Sequence, residues 1–126
     1  MSHYTNNIPK HWQVKRLAEV CDEIFAGGDV PKDNFSLVKN NEYQIPIYAN
    51  GEKENGLYGY TNISKVNPPS VTISARGRIG YTLVRNHSFF PIVRLIVLKP
   101  KNDINTSFLK YAIDNVFKFD STGQGM

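Results

Sequence analysis

Histidines and carboxylates are the side chains of this 126-residue chain that could catalyse a reaction or bind a metal ion. His3, His11 and His87 stand in unrelated contexts, outside HExxH or any similar ligand spacing. The neighbouring acids Asp22 and Glu23 do not fit the paired acidic pattern of a metal-dependent nuclease. Sequence patterns for a nucleophile elbow, a phosphate loop or a dinucleotide-binding turn are also missing. We therefore expect no catalytic residue, no metal site and no cofactor.

Two arginines offer a different chemistry, the recognition of an anion. Arg76 and Arg78 bracket Gly77 between the β-branched runs 71–74 and 79–84, a pattern that predicts a β-hairpin with the arginines at its tip. Guanidinium groups at such a tip could contact a phosphate or a guanine edge. The same residues could instead serve solubility, or anchor the hairpin against a carboxylate.

Two polar loops carry further candidates for DNA contacts. Lysine suits phosphate contacts, amides suit adenine readout and aromatic rings suit stacking, although tyrosines in loops also often fill a core. The candidates in residues 29–42 and 50–60 are Lys32, Asn34, Asn50, Lys53, Tyr58 and Tyr60.

The elements that must position these residues can be read from the apolar spacing. From Val14 to Phe25 the spacing indicates a short helix or helical turn that leads into an extended piece. Residues 43–49 alternate as a strand, which Pro46 restricts to an edge or a strand start. Residues 93–98 form an apolar run typical of a strand buried on both faces, and Pro100 should stop it.

A C-terminal helix is the last predicted element. Asn105 or Thr106 could cap its amino end. One apolar face is predicted from the helical spacing of Phe108, Leu109, Ala112, Ile113, Val116 and Phe117.

Composition limits the class of partner. The chain has a formal charge of +4 and a pI near 9.2, which favours polyanions, although many basic proteins bind none. Cys21 is the single cysteine and should be a small buried hydrophobe. Neither a signal peptide nor a membrane span is evident, so a cytoplasmic protein without membrane contact is expected.

The order of several motifs resembles one protein family. Residues 8–20, IPKHWQVKRLAEV, resemble the P-x-G-W-x-x-x-x-L-G-D-V opening of the target-recognition domains in type I restriction-modification specificity subunits. The paired glycines with proline in residues 27–31, the I-P-x-Y strand of residues 45–48 and the R-G-x-I-G turn of residues 76–80 follow in the family's order. The scaffold residues that carry this resemblance are Trp12, Gly27, Gly28, Pro46, Gly77 and Gly80. Gly27 and Gly28 are expected to allow a tight turn.

The resemblance implies a single α+β domain with a twisted, largely antiparallel sheet and a C-terminal helix. It would comprise a flexible lead (1–7), a double-stranded DNA recognition domain (8–119) and a tail (120–126) that begins a missing spacer region. Such a domain would direct methyltransferase subunits, and through them restriction motor subunits, to half of a bipartite site. A module that binds modification subunits without reading DNA is the alternative, and a small nuclease is the least favoured.

Overall fold

Seven strands and one long helix follow each other in the computed structural model, which describes residues 17–75 and 80–121. The expected lead, Trp12 and the hairpin tip with Arg76, Gly77 and Arg78 lie outside the described residues. The bounds are β1 Cys21–Ala26, β2 Ile45–Tyr48, β3 Leu57–Thr61, β4 Ser70–Ile73, β5 Thr82–Arg85, β6 Phe90–Pro91, β7 Ile96–Pro100 and α1 Thr106–Ser121.

The first sheet has four antiparallel strands in the order β1-β7-β4-β5. β4 and β5 form the predicted hairpin, with Ile73 opposite Thr82. The helical residues 17–20 lead directly into β1, as their spacing predicted. β7 lies between two neighbours, which explains why Val97 and Leu98 are both buried although they point to opposite faces.

The second sheet has three strands in the order β3-β2-β6. β2 is its central strand, antiparallel to β3 and parallel to the short β6. Pro46 is tolerated there because its partner Tyr60 needs no hydrogen bond from it. The N–H and C=O of Tyr60 are both bonded to Ser36, on the side of β3 away from β2. Pairing with β6 begins only at Ile47, so the missing N–H of Pro46 removes no ladder bond.

The helix α1 covers the first sheet. Asn105 caps it, because its Oδ1 accepts the N–H of Phe108 at 2.9 Å. Leu109 and Ile113 are buried against Val71, Ile73 and Leu98. The hydroxyl of Thr82 on β5 donates to Asp114, which fastens the helix to the hairpin.

Antiparallel pairing and the C-terminal helix confirm the expected α+β class, but the strands form two sheets where one was expected. Two local predictions were wrong. Val93 lies in a turn and is 48% exposed, because the strand begins only at Ile96. Phe108 is 63% exposed, because the buried stripe of α1 is centred on Leu109 and Ile113.

Gly27 and Gly28 do not form the expected tight turn. A Cβ on Gly27 would lie 2.6 Å from the carbonyl oxygen of Ile92, whereas one on Gly28 would meet nothing within 4 Å. Gly27 therefore permits two backbones to approach closely, and Gly28 has no such role. Gly80 differs from both, because it adopts a φ of 85° where the hairpin re-enters its ladder. In the described part of the chain, no helix is long and apolar enough to span a bilayer.

Candidate nucleic-acid interface

The structure joins residues 50–56, which belong to the predicted DNA-contact segment 50–60, to the residues that flank the hairpin tip; the predicted segment 76–78 itself lies outside the described residues. The N–H of Ala75 donates to Asn50 Oδ1 at 2.9 Å, and the N–H of Gly51 donates to Ser74 Oγ at 2.7 Å. On the other side of the hairpin, the hydroxyl of Tyr81 donates to Asn55 Oδ1 at 3.3 Å. These contacts couple residues 50–56 and the residues that flank the hairpin tip into one unit, which we call the hairpin unit.

Asn50 has a structural task within this unit. Its Oδ1 holds the hairpin, and its Nδ2 is buried without a hydrogen-bond partner among the described residues. Lys53, by contrast, is exposed on the short 3-10 turn Lys53–Gly56 that follows. Of the two sequence-predicted candidates, Lys53 is the one whose side chain can reach a partner from this position.

The turn Lys53–Gly56 has an unusual backbone that fixes its direction. Glu54 and Asn55 both adopt left-handed conformations, with φ values of 51° and 61°. Gly56 follows with a φ of 85°, and a Cβ there would lie 2.5 Å from the carbonyl oxygen of Ala49. Left-handed backbone at non-glycine residues is uncommon and occurs where surrounding contacts impose it.

The third predicted segment, residues 29–42, packs against the outer edge of β3. Ser36 and Tyr60 exchange two backbone hydrogen bonds, of 2.8 and 2.9 Å. The ring of Phe35 stacks on Tyr58 with centroids 5.5 Å apart. Gly59 makes this packing possible, because a Cβ there would lie 2.6 Å from the Phe35 ring.

Lys32 and Asn34 lie at the start of the same segment. Lys32 is exposed, whereas Asn34 is half-buried and its backbone N–H donates to the carbonyl of Pro31 at 3.0 Å. The fold therefore turns the chain at Asn34 and leaves the lysine at the surface.

A bulge in β3 separates the two predicted tyrosines. Ile47 pairs with Gly59 and Tyr48 with Leu57, so Tyr58 is an extra residue opposite the β2 ladder. Bulges redirect side chains. Tyr58 stays 44% exposed beside Phe35, while Tyr60 lines a groove.

This groove, which we call the tyrosine groove, has a volume of about 540 Å³. Its polar and aromatic lining includes Lys39, Gln44, Tyr48, Asn55, Tyr60 and His87. Tyr48 Oη and His87 Nε2 are 2.7 Å apart, within hydrogen-bonding distance.

A buried arginine lies directly behind the groove. Arg85 is 5% exposed, and its guanidinium carbon lies 3.7 Å from the centre of the Tyr48 ring. Its Nε donates to Thr72 Oγ1 at 3.0 Å and its Nη2 donates to the carbonyl of Asn55 at 2.8 Å. The guanidinium therefore also holds the left-handed turn at Asn55 in place.

Burial changes the acid–base behaviour of this cluster. Desolvation raises the pKa of Tyr48 and lowers the pKa of Arg85. Desolvation, followed by repulsion from Arg85, lowers the pKa of His87. His87 is therefore neutral at physiological pH and can offer one donor and one acceptor.

The described residues hold no group of three or more metal-ligating side chains. Sequence reasoning missed Arg85, which follows an apolar pair in β5. It considered His87 only as a possible catalytic or metal-binding residue. An arginine at the end of a short β-branched strand was the available signal for a buried cation.

Comparison with known proteins gives a consistent result. Residues 9–123 match the family model described as the type I restriction modification DNA specificity domain. A Mycoplasma pneumoniae protein named as a type I specificity subunit, S.MpnORF507P, is 34% identical over 122 residues, which cover 93% of this chain and 33% of that protein. A second one, S.MpnORF89P, is also 34% identical and is matched over 35% of its length. This chain thus spans about a third of the length of these relatives.

Two crystal structures share the fold. The S subunit of a type I restriction-modification system from M. genitalium superposes with a TM-score of 0.65 and 17% identity, covering 91% of this chain and 33% of that one. The HsdS subunit from Thermoanaerobacter tengcongensis gives a TM-score of 0.59 and 22% identity, covering 82% and 27%.

Proposed function

This chain belongs to the family of type I restriction modification DNA specificity domains, and from that membership we propose that it binds duplex DNA and selects its sequence. The match over residues 9–123 carries the proposal, since it includes all seven strands and the whole of α1. The formal charge of +4 supports the same conclusion, because cationic proteins gain affinity for DNA by releasing its counterions.

The proposal assigns the DNA contacts to two parts of the surface. Residues 50–56 and the residues that flank the hairpin tip are joined by hydrogen bonds, and in this proposal that unit enters the major groove. In this proposal Lys53, Arg76 and Arg78 contact DNA from that unit, and Lys32 contacts it from the neighbouring segment. Asn50 and Tyr58 act indirectly, by holding the hairpin and residue Phe35.

The chain works as a non-catalytic component in this proposal. Partner methyltransferase subunits would supply S-adenosylmethionine-dependent methyl transfer, and restriction motor subunits would supply translocation and cleavage. The domain itself would read half of a bipartite site. This fits a chain that spans about a third of the length of its relatives.

The test is a binding titration of the chain against a pool of random duplexes, followed by sequencing of the bound fraction. We expect binding that weakens steeply with salt and an enrichment of one short sequence, because phosphate contacts give affinity and base contacts give selectivity. Absence of binding at low salt would contradict the proposal. Binding without any enrichment would contradict sequence selection but not DNA binding.

A further inference from the structure

We propose that the tyrosine groove binds one phosphate group of the DNA backbone, beside the hairpin unit. The inference rests on the proposed DNA binding and extends it to a groove in which Tyr60 was the one DNA-contact candidate named from the sequence. Three observations support it: the donors that meet in the groove, the buried charge behind it and its concave shape.

The first observation is the set of hydrogen-bond donors. Tyr60 brings a hydroxyl to the groove, and Tyr48 and His87, which are hydrogen-bonded to each other at 2.7 Å, leave one O–H or N–H between them for a ligand. Lys39 adds a cation at the rim. Hydroxyl, amide and lysine donors are the groups that commonly contact phosphate oxygens. Glu54 is the one carboxylate among the described residues that line the groove.

The second observation is the charge of Arg85. Its guanidinium donates to the neutral oxygens of Thr72 and Asn55. A buried cation is normally paired with an anion because its desolvation is costly. Arg85 instead lies against the ring of Tyr48, a lining residue of the groove, so its positive charge favours an anion bound there.

The third observation is shape. A DNA strand presents its phosphates on a convex ridge, which fits a groove, whereas base edges lie in a recess that only a projecting element reaches. The groove is next to the hairpin unit, because Asn55 belongs both to the groove lining and to that unit. A phosphate in the groove would therefore fix the position of the hairpin unit along the duplex.

The experiment measures duplex affinity of the whole chain between about 50 mM and 200 mM salt, with several unrelated sequences. Lys39→Ala should reduce the slope of log affinity against log salt by about one, and equally for every sequence. Lys101→Ala is the control, because it removes the same charge from an exposed position beside the first sheet. It should change the slope less than Lys39→Ala does.

A second variant tests the hydroxyl without changing the charge. Tyr60→Phe keeps the ring and should lower affinity about tenfold for all sequences, since a hydrogen bond to a charged group is lost. Inorganic phosphate should compete with DNA more weakly in both variants than in the unchanged chain.

The outcomes separate the two proposals. If the unchanged chain binds no duplex, the DNA-binding function itself is wrong. If it binds and Lys39→Ala and Tyr60→Phe resemble Lys101→Ala, the groove assignment alone is wrong. Affinity losses that depend on base sequence would assign the groove to base readout, and phosphate binding with unchanged DNA affinity would assign it to a free anion; either result overturns the inference.

Discussion

His87 is an exposed residue with a lowered pKa. Partial burial of its ring, followed by repulsion from Arg85, lowers that pKa. Tyr48 lies within hydrogen-bonding distance of its Nε2, and Lys39, Glu54 and Tyr60 are the other titratable groups in the same groove. An anion entering the groove would raise the pKa of His87, because a negative charge favours the protonated imidazole.

DNA affinity should therefore depend on pH through His87. The pKa of His87 is lowered in the free protein, so the ring is neutral at pH 7. It gains a positive charge only at a pH below the ordinary pKa of histidine. We expect affinity and the salt slope to rise as pH is lowered from about 8 to about 5, and the pKa of His87 measured by NMR to be higher with DNA than without it.

His87→Gln provides the control for that titration. The glutamine keeps a neutral polar group in the groove, so affinity near pH 8 should change little, while the increase at low pH should disappear. An identical pH profile in the variant would show that another group is responsible for the increase.

At the scale of elements, substitutions at two adjacent glycines test whether the two sheets need a close backbone contact. The backbone of Gly27 lies against residues 91–92, and its N–H donates to the carbonyl of Leu95 at 2.8 Å. Gly27→Ala should destabilise the protein by about 1–3 kcal/mol, because its Cβ would collide with backbone atoms that cannot move separately. Gly28→Ala should stay within about 0.5 kcal/mol of the unchanged chain. Urea unfolding measures both, and equal losses would contradict the assigned close approach.

Sequence patterns predicted the elements whose signals are local. The β-branched runs around residues 71–84 gave the hairpin, and the spacing of Leu109 and Ile113 gave the buried face of α1. The same spacing misplaced Phe108, because a helical period defines the direction of a face but not its width.

Pairings between distant segments were beyond local patterns. The parallel contact of β2 with the two-residue β6 depends on Phe90 and Pro91, which carry no strand signal of their own. Sequence patterns did not predict the tyrosine groove as a site for the same reason. It combines residues of β2 and β3 with His87, which lies 39 positions after its partner Tyr48. The packing of residues 29–42 on β3 likewise depends on Gly59, whose role is visible only beside Phe35.

At the scale of the whole molecule, one cluster joins the two sheets. Phe89 is completely buried between Tyr48 of the second sheet and Val97 of the first, with Leu95 and Val66 beside it. The rings of Phe89 and Tyr48 have centroids 5.4 Å apart. Because neither sheet can bury this cluster alone, we expect the sheets to unfold together in one cooperative transition.

Phe89→Ala should lower the free energy of unfolding by about 3–5 kcal/mol, since it removes apolar contacts and leaves a cavity between the sheets. Phe89→Leu, which nearly conserves volume, should cost less than about 1.5 kcal/mol and keeps the test usable if the alanine variant does not fold. Phe108→Ala is the matched control on an exposed site and should change stability by less than about 0.5 kcal/mol. Urea unfolding followed by fluorescence and circular dichroism should give coincident curves for the unchanged chain; two separate transitions would mean that the sheets are independently stable and that Phe89 does not couple them.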